Sequence, residues 1–410
     1  MKIGLITYHA ACNYGANLQA LSNLKYWQNN GYEPIFINWM TEKLENGYRR
    51  ITPQDQFEEH RLFREKYFSM TRRCYTDEDI VAVIKEEGIE AIIIGSDAVM
   101  QTRPQRTRFV FPSRKIFTIV KPGTDVNPPN PFWGSFYSLL ERKIPIIYMS
   151  ASSQNSSYKK SSIKEKQLQQ KLLLQYDYIS TRDDWTSKMV SWITDGKINP
   201  EVTPDPVFAF NYNVINQPSK EEILRKFNLN DKYCLFCFHS NKAVSKKWLI
   251  KMQKLMNKKD IQCVAFPFPS GIKFDNPFDK RIDIPLSPID WYALIKYATY
   301  YIGDNMHPIV ISLHNAVPCF SFDHYGVQKF FRLFVDKKSS KIYHILNKFR
   351  CINNIVNING IYREPTVEYV MESLERFDKE YVRKCADTTL LEYLKMMTDI
   401  KTIIDNSVSK

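Results

Sequence analysis

Residues 296–322, KYATYYIGDNMHPIVISLHNAVPCFSF, read as strand, turn, helix and strand in immediate succession. Tyr300-Tyr301-Ile302 is a short β-prone run, and Gly303-Asp304-Asn305 is turn chemistry that can also cap a following helix. Pro308 is tolerated in a first helical turn, and the chain resumes as a strand from Val317 to Phe322 after Asn315-Ala316. Two strands joined through a helix pair in parallel by a right-handed crossover, so this stretch commits the chain to an α/β fold. His307 then stands at a helix N-terminus, beyond the carboxyl end of a strand. Ligands of open α/β sheets bind at that edge, and the unpaired N–H groups of a helix start favour an anion. The purely structural alternative is a histidine that caps or packs. His314, two turns further on a similar face, reads as a structural neighbour.

The same alternation runs through the whole sequence. Lys2 to His9 is an apolar strand, a helix carrying Leu18, Leu21, Leu24 and Trp27 follows and stops at Asn30-Gly31, and Ile35 to Trp39 is strand again. Further on come a polar stretch with helical spacing through Phe57, Phe63 and Phe68, a helix over 79–87 and a strand over 91–97. Residues 101–133, rich in Arg, Pro and Asn, read as a long loop of the kind that is usually functional or mobile. Strands at 144–153 and 176–181 alternate with helices at 161–175 and 184–194. After the Pro-rich 202–207 the organisation restarts, with strands at 233–239 and 261–266 and helices at 221–227, 246–257 and 288–297. A chain of 410 residues exceeds one hydrophobic core. The expectation is a first domain over 1–212, a second over 213–370 carrying His307, and C-terminal helices over 371–410 packing back on the first.

Composition narrows the classes. No apolar run approaches the roughly 18 to 20 residues that span a bilayer, and Met1-Lys2 leads straight into a strand, so a cytoplasmic protein is expected. Eight scattered cysteines do not make a disulfide scaffold. Cys234 and Cys237 lie inside the apolar run YCLFCF and read as buried thiols; no metal-ligand set is expected. The formal net charge of +13 implies an anionic partner. The lysines at 242, 246, 247, 251, 254, 258 and 259 surround one amphipathic helix and read as a solvated face.

Several marks taken in order carry a resemblance. NYGANLQA follows a GLITYH strand, and then come IIIGSDAV, a Tyr148-Met149-Ser150-Ala151 strand end, YISTRDD, TPDPVF and the strand-turn-histidine element at His307. Over residues 1–325 the chain resembles the polysaccharide pyruvyl transferase family. The resemblance implies two Rossmann-like domains facing across a cleft, the glycosyltransferase-B arrangement. It implies transfer of pyruvate from phosphoenolpyruvate onto two hydroxyls of a sugar, commonly galactose or N-acetylmannosamine, as a cyclic ketal. It implies phosphoenolpyruvate as the donor substrate and no cofactor. Where members carry Arg-Leu-His or Ser-Phe-His, this chain has Asn305-Met306-His307, so one anion contact comes from elsewhere or the donor differs.

Ketal formation needs a proton for the methylene carbon, help for the attacking hydroxyl, and neutralisation of carboxylate and phosphate. His307 is the candidate acid, because imidazole titrates near working pH. Asp97, in the Gly95-Ser96-Asp97 turn with Ser96 beside it, is placed to accept the sugar proton or merely to cap a helix. Arg182 follows a strand end and offers a planar fork for carboxylate or phosphate, unless it pairs with Asp183 or Asp184. Asn13, Tyr14, Gly15 and Asn17 form the first strand-to-helix turn, where glycine lets backbone approach a ligand. His239 ends a strand of the second domain and, with Asn305, completes the candidate substrate contacts. The expected acceptor is a lipid-linked or nucleotide-linked sugar in surface polysaccharide assembly, with the basic surface held peripherally at the inner face of an anionic membrane. Two other classes remain: a glycosyltransferase using a nucleotide sugar, against which stands the absence of an adenine or uridine fingerprint, and a non-catalytic anion- or nucleic-acid-binding protein. Without a basic segment interleaved with aromatics, nucleic acid is not an expected partner.

Overall fold

The computed structural model describes the chain apart from residues 104–105, 110–116, 121–126, 155, 330–332 and 409–410. Two six-stranded sheets form it, and every pairing within them is parallel. In the first, the strands lie side by side in the order Glu33–Phe36, Lys2–Ile6, Ala91–Asp97, Ile146–Ala151, Tyr178–Thr181, Glu201–Val202. In the second the order is Lys280–Arg281, Gln262–Ala265, Tyr233–Cys237, Tyr300–Gly303, Cys319–Asp323, Ile355–Asn357. Each order reverses direction about its first strand, which is the doubly wound pattern expected from the sequence.

Local chemistry sets the elements. The Ala91–Asp97 strand is apolar at consecutive positions because helices cover both faces of its sheet. Helices begin at polar caps: Asn13 accepts from the Ala16 N–H, Ser245 from Trp248 and Asp183 from Thr186. The expected helix over 246–257 forms with those bounds. One cap fails. Asn305 precedes the helix Met306–His314 yet makes no side-chain capping bond. The expected loop over 101–133 also differs in part, since Arg106–Phe109 pairs antiparallel with Phe117–Val120 and Pro131–Trp133 is a 3-10 turn. The rest of that loop lies largely outside the described residues.

The domains share a core. Helix Tyr14–Asn29 packs on helix Pro288–Lys296, with the Tyr14 and Trp291 rings stacked 5.0 Å apart and Phe210 against Tyr292 at 4.3 Å. Each buried aromatic of this kind contributes roughly 1.5–3 kcal/mol relative to exposure. Helix Val367–Glu375 packs in the core of the second sheet, and helix Lys379–Val408 returns to the first domain, where Tyr393 meets Tyr26 edge-on and Met396 Sδ lies 3.3 Å from Ser150 Oγ. All eight cysteines are free, and Cys234 and Cys237 are fully buried. Among the described residues no helix is long and apolar enough to cross a membrane.

Candidate active site

Three strand ends from two sheets supply the charged centre. Asp97 closes the Ala91–Asp97 strand, Arg182 follows Tyr178–Thr181, and His307 is the second residue of the helix after Tyr300–Gly303. The Asp97 backbone is left-handed, with φ of 84°, a conformation that costs a non-glycine residue of order 1–3 kcal/mol and concentrates at functional sites. The turn also requires Gly95, where a Cβ would lie 2.2 Å from the Met149 carbonyl oxygen. Ser96 is structural: its Oγ donates to the Ser150 carbonyl at 2.7 Å, and its own carbonyl accepts from Thr7.

Arg182 is committed to two carboxylates. Its guanidinium donates to Asp205 Oδ2 at 2.7 Å and to Asp97 Oδ1 at 3.4 Å, with the arginine side chain 2% exposed. The partners are therefore Asp205 and Asp97, not the adjacent Asp183 or Asp184. Asp183 instead caps its own helix and accepts from Ser152. Of the three Arg182 guanidinium nitrogens, Nε is buried with no hydrogen-bond partner among the described residues. Burial pushes the Asp97 carboxyl up, but Arg182, His307 and Lys341 outweigh it and hold the group below the ordinary aspartate value. Asp97 is a carboxylate with its charge already neutralised.

His307 rests on Gly15. A Cβ added at Gly15 would stand 2.0 Å from Cγ and 2.2 Å from Nδ1 of the imidazole, so only glycine leaves room for the ring. This joins the first turn of the first domain to the candidate residue of the second. His307 is 5% exposed, and its Nε2 is buried with no hydrogen-bond partner among the described residues. Desolvation drives its pKa down to about 4, with Lys341 and Arg182 acting in the same direction and Asp205 and Asp97 against it. The imidazole is neutral at neutral pH in the ligand-free site, which places it as a proton acceptor before any donor arrives.

Lys341 completes the centre. It begins helix Lys341–Lys348, is 6% exposed, and its ammonium lies 4.7 Å from the centroid of the Tyr325 ring. Burial, then Arg182, lowers its pKa to about 8, while Asp97, Asp183 and Asp205 hold it up. Nothing local in the sequence marks it among the lysines of a KKSSK run. Asp205 stands within the TPDPVF mark but is not predicted to partner Arg182 from 23 residues away.

The remaining expected residues separate into two groups. Asn13 is an exposed cap. Tyr14 donates to Gln56 Oε1 at 3.0 Å, and the same oxygen accepts the Leu286 N–H, so Tyr14 helps to tie the domains together. Asn17 donates to the His9 and Ala11 carbonyls and accepts from His60 Nδ1 at 2.7 Å, fixing the turn. His239 and Asn305 lie instead at the open carboxyl edge of the second sheet. His239 is half exposed, and its Nδ1 is 2.9 Å from Asp304 Oδ1. A cavity of about 270 Å³ includes Arg182 and Asp205 and runs to His344 and Lys348, but His307 and Asp97 do not line it.

A family model for polysaccharide pyruvyl transferase matches residues 13–325, a span that holds Gly15, Asp97, Arg182, Asp205 and His307. The chain belongs to that family. Its coarse activity is therefore that of a transferase in polysaccharide pyruvylation, and Lys341 lies beyond the matched span. No curated protein sequence matches significantly. Among solved structures, UDP-N-acetylglucosamine 2-epimerase from Rickettsia bellii is similar at a TM-score of 0.53 and 12% identity, covering 99% of this chain and 97% of that one. The UDP-GlcNAc 2-epimerase from Neisseria meningitidis bound to UDP-GlcNAc gives 0.53 and 9%, covering 97% and 98%. A ugt transferase from Siraitia grosvenorii in complex with UDP gives 0.50 and 9%, covering 99% of each chain. These likenesses establish the glycosyltransferase-B-type arrangement of two Rossmann-like domains.

Proposed function

We propose that this protein transfers pyruvate from phosphoenolpyruvate to two hydroxyls of a sugar, forming a cyclic ketal and releasing phosphate. The observation that carries the reading is a pair of buried bases whose pKa values burial lowers together, to either side of neutral pH. His307 falls to about 4 and Lys341 to about 8, around a left-handed Asp97. At neutral pH one is a free base and the other an ammonium acid.

The expected role of His307 changes with that charge state. Lys341 attracts the donor's carboxylate and phosphate, where a point charge suffices. It then gives its proton to the methylene carbon, which becomes the methyl group. His307 takes the proton of the first sugar hydroxyl as its oxygen bonds to the central carbon. The second hydroxyl then attacks the same carbon, the C–O bond to phosphate breaks, and the second hydroxyl proton leaves with phosphate. Asp97 and Arg182 hold the field in which these transfers occur. Lys341 also supplies the cation for which Asn305 has no charge.

The acceptor expected is a galactose-type hexose, lipid-linked, in capsular or exopolysaccharide assembly. The net charge of +13 supports an acceptor that carries pyrophosphate at an anionic membrane. The test is phosphate release from phosphoenolpyruvate with a panel of lipid-linked galactosides, with nucleotide sugars in parallel. Phosphate release that requires a sugar, together with a ketal on the product, supports the reading. Glycosyl transfer from a nucleotide sugar without phosphoenolpyruvate turnover would replace it with the glycosyltransferase alternative.

A further inference from the structure

Three neighbouring strands of the second sheet each end in a side chain able to bind a metal. His239 lies two residues beyond Tyr233–Cys237, Asp304 follows Tyr300–Gly303, and His324 follows Cys319–Asp323. Gly303 pairs with Cys237 on one side and Ser321 on the other, so the three carboxyl ends emerge at one level. One ligand atom from each residue lies within 4.8 Å of the others. His239 Nδ1 and Asp304 Oδ1 are 2.9 Å apart, about the separation of two ligands at right angles on a cation bound at roughly 2.1 Å.

Hydrogen bonds orient the carboxylate and leave one buried imidazole nitrogen of the set unpaired. Asp304 is 2% exposed, and its Oδ2 accepts the His239 backbone N–H at 2.9 Å, which orients Oδ1 toward the two rings. His324 Nδ1 is buried with no hydrogen-bond partner among the described residues. Phe268 packs on the His239 ring at 4.1 Å, and the Tyr325 ring lies 4.2 Å from that of His324. Neutral imidazoles bind through either nitrogen, so His239 need only move its proton to Nε2 to offer Nδ1.

We infer that His239, Asp304 and His324 form a site for a divalent first-row transition cation, of the zinc type with three protein ligands and an open position. Two imidazoles and one carboxylate suit Zn²⁺, Co²⁺ and Mn²⁺, and three ligands leave room for an oxygen of water or of a bound substrate. Tyr325 connects this site to the proposed centre, since its ring contacts both His324 and the Lys341 ammonium. The open position would take phosphate, carboxylate or hydroxyl oxygen at the edge of the sheet. The inference goes beyond pyruvyl transfer and does not depend on it.

The experiment uses the full, tag-free chain after chelation, with no sugar and no phosphoenolpyruvate. Co²⁺ binding is followed by its visible absorption, and Zn²⁺ binding by equilibrium dialysis with elemental analysis. One equivalent should bind the parent, with affinity at least tenfold weaker in Asp304→Asn, His324→Gln and His239→Gln. The control His344→Gln, at a partly buried histidine outside the cluster, should bind as the parent does. Added Zn²⁺ should raise the melting temperature of the parent and of His344→Gln but not of the three site variants, which keeps the comparison valid if a variant is less stable. No stoichiometric binding to the parent, or equal affinity across all variants, would overturn the site. Because neither substrate is present, that failure is distinct from a failure of pyruvyl transfer.

Discussion

The Cβ that Gly15 lacks would stand 2.0 Å from Cγ of His307, so the first helix of one domain forms the floor beneath the imidazole of the other. Gly15→Ala tests that relationship. Alanine gains up to about 1 kcal/mol of helix propensity over glycine, while overpacking costs about 1–3 kcal/mol. Global stability should therefore change little, and the ring must shift. Turnover should fall at least tenfold with a melting temperature close to the parent's. Gly47→Ala, within helix Glu42–Ile51 and with open space around its Cβ, should leave turnover unchanged and raise the melting temperature slightly if at all.

The two buried bases predict a bell-shaped pH profile for phosphate release. Activity should rise as His307 loses its proton through about pH 4 and fall as Lys341 loses its own through about pH 8. His307 faces Asp205 and Asp97, which raise its pKa, and Lys341 and Arg182, which lower it. His307→Gln should lower turnover by roughly 10²- to 10⁴-fold and abolish the acid limb. Lys341→Arg keeps the charge without a titrating acid, so it should remove the basic limb. A basic limb that survives this substitution would rule out Lys341 as the donor of the proton.

Arg182 is predicted to be a framing residue. Removing one partner of a buried ion pair leaves the other charge uncompensated, typically at a cost of 3–5 kcal/mol. Arg182→Met should therefore shift the denaturation midpoint strongly, because Asp205 and Asp97 lose their guanidinium together. Adding Asp205→Asn should recover part of the loss. A variant that unfolds like the parent but binds phosphoenolpyruvate weakly would return Arg182 to a role in donor contact.

Acid stability should report the buried histidines. Burial lowers His9 to about 4 and both His60 and His314 to about 3, the nearby Arg64 or Lys296 acting in the same direction. Their unfolded value is about 6.5, so below that pH the unfolded chain binds protons that the folded chain refuses. The contribution is fully present above about pH 6.5 and is lost progressively as pH falls toward 4. His60→Gln should flatten that slope in thermal melts between pH 4 and 6.5, and an unchanged slope would show that His60 is protonated in the folded protein.

Legibility in the sequence followed the range of the interactions. The strand Ala91–Asp97 and the helix Lys246–Asn257 were readable because period, caps and turn residues act within a few positions. His307 was readable for the same reason, as a polar residue just beyond a strand. Its neutral state was not, because its burial against Gly15 and the charges of Lys341 and Arg182 that act with that burial come from segments far apart in the chain.

By itself the sequence determined two parallel α/β units, polar residues at their strand ends, and membership of a family through motifs between residues 13 and 325. Periodicity and turn chemistry are local, and parallel order follows from the handedness of each crossover. Tertiary structure alone decided that Arg182 faces Asp205 and Asp97, that Lys341 enters the same centre, and that His239, Asp304 and His324 meet at one edge. The reason is that sheet order, not sequence order, sets which strand ends are neighbours. Charges brought together from remote segments acquire their protonation states only after burial removes water around them.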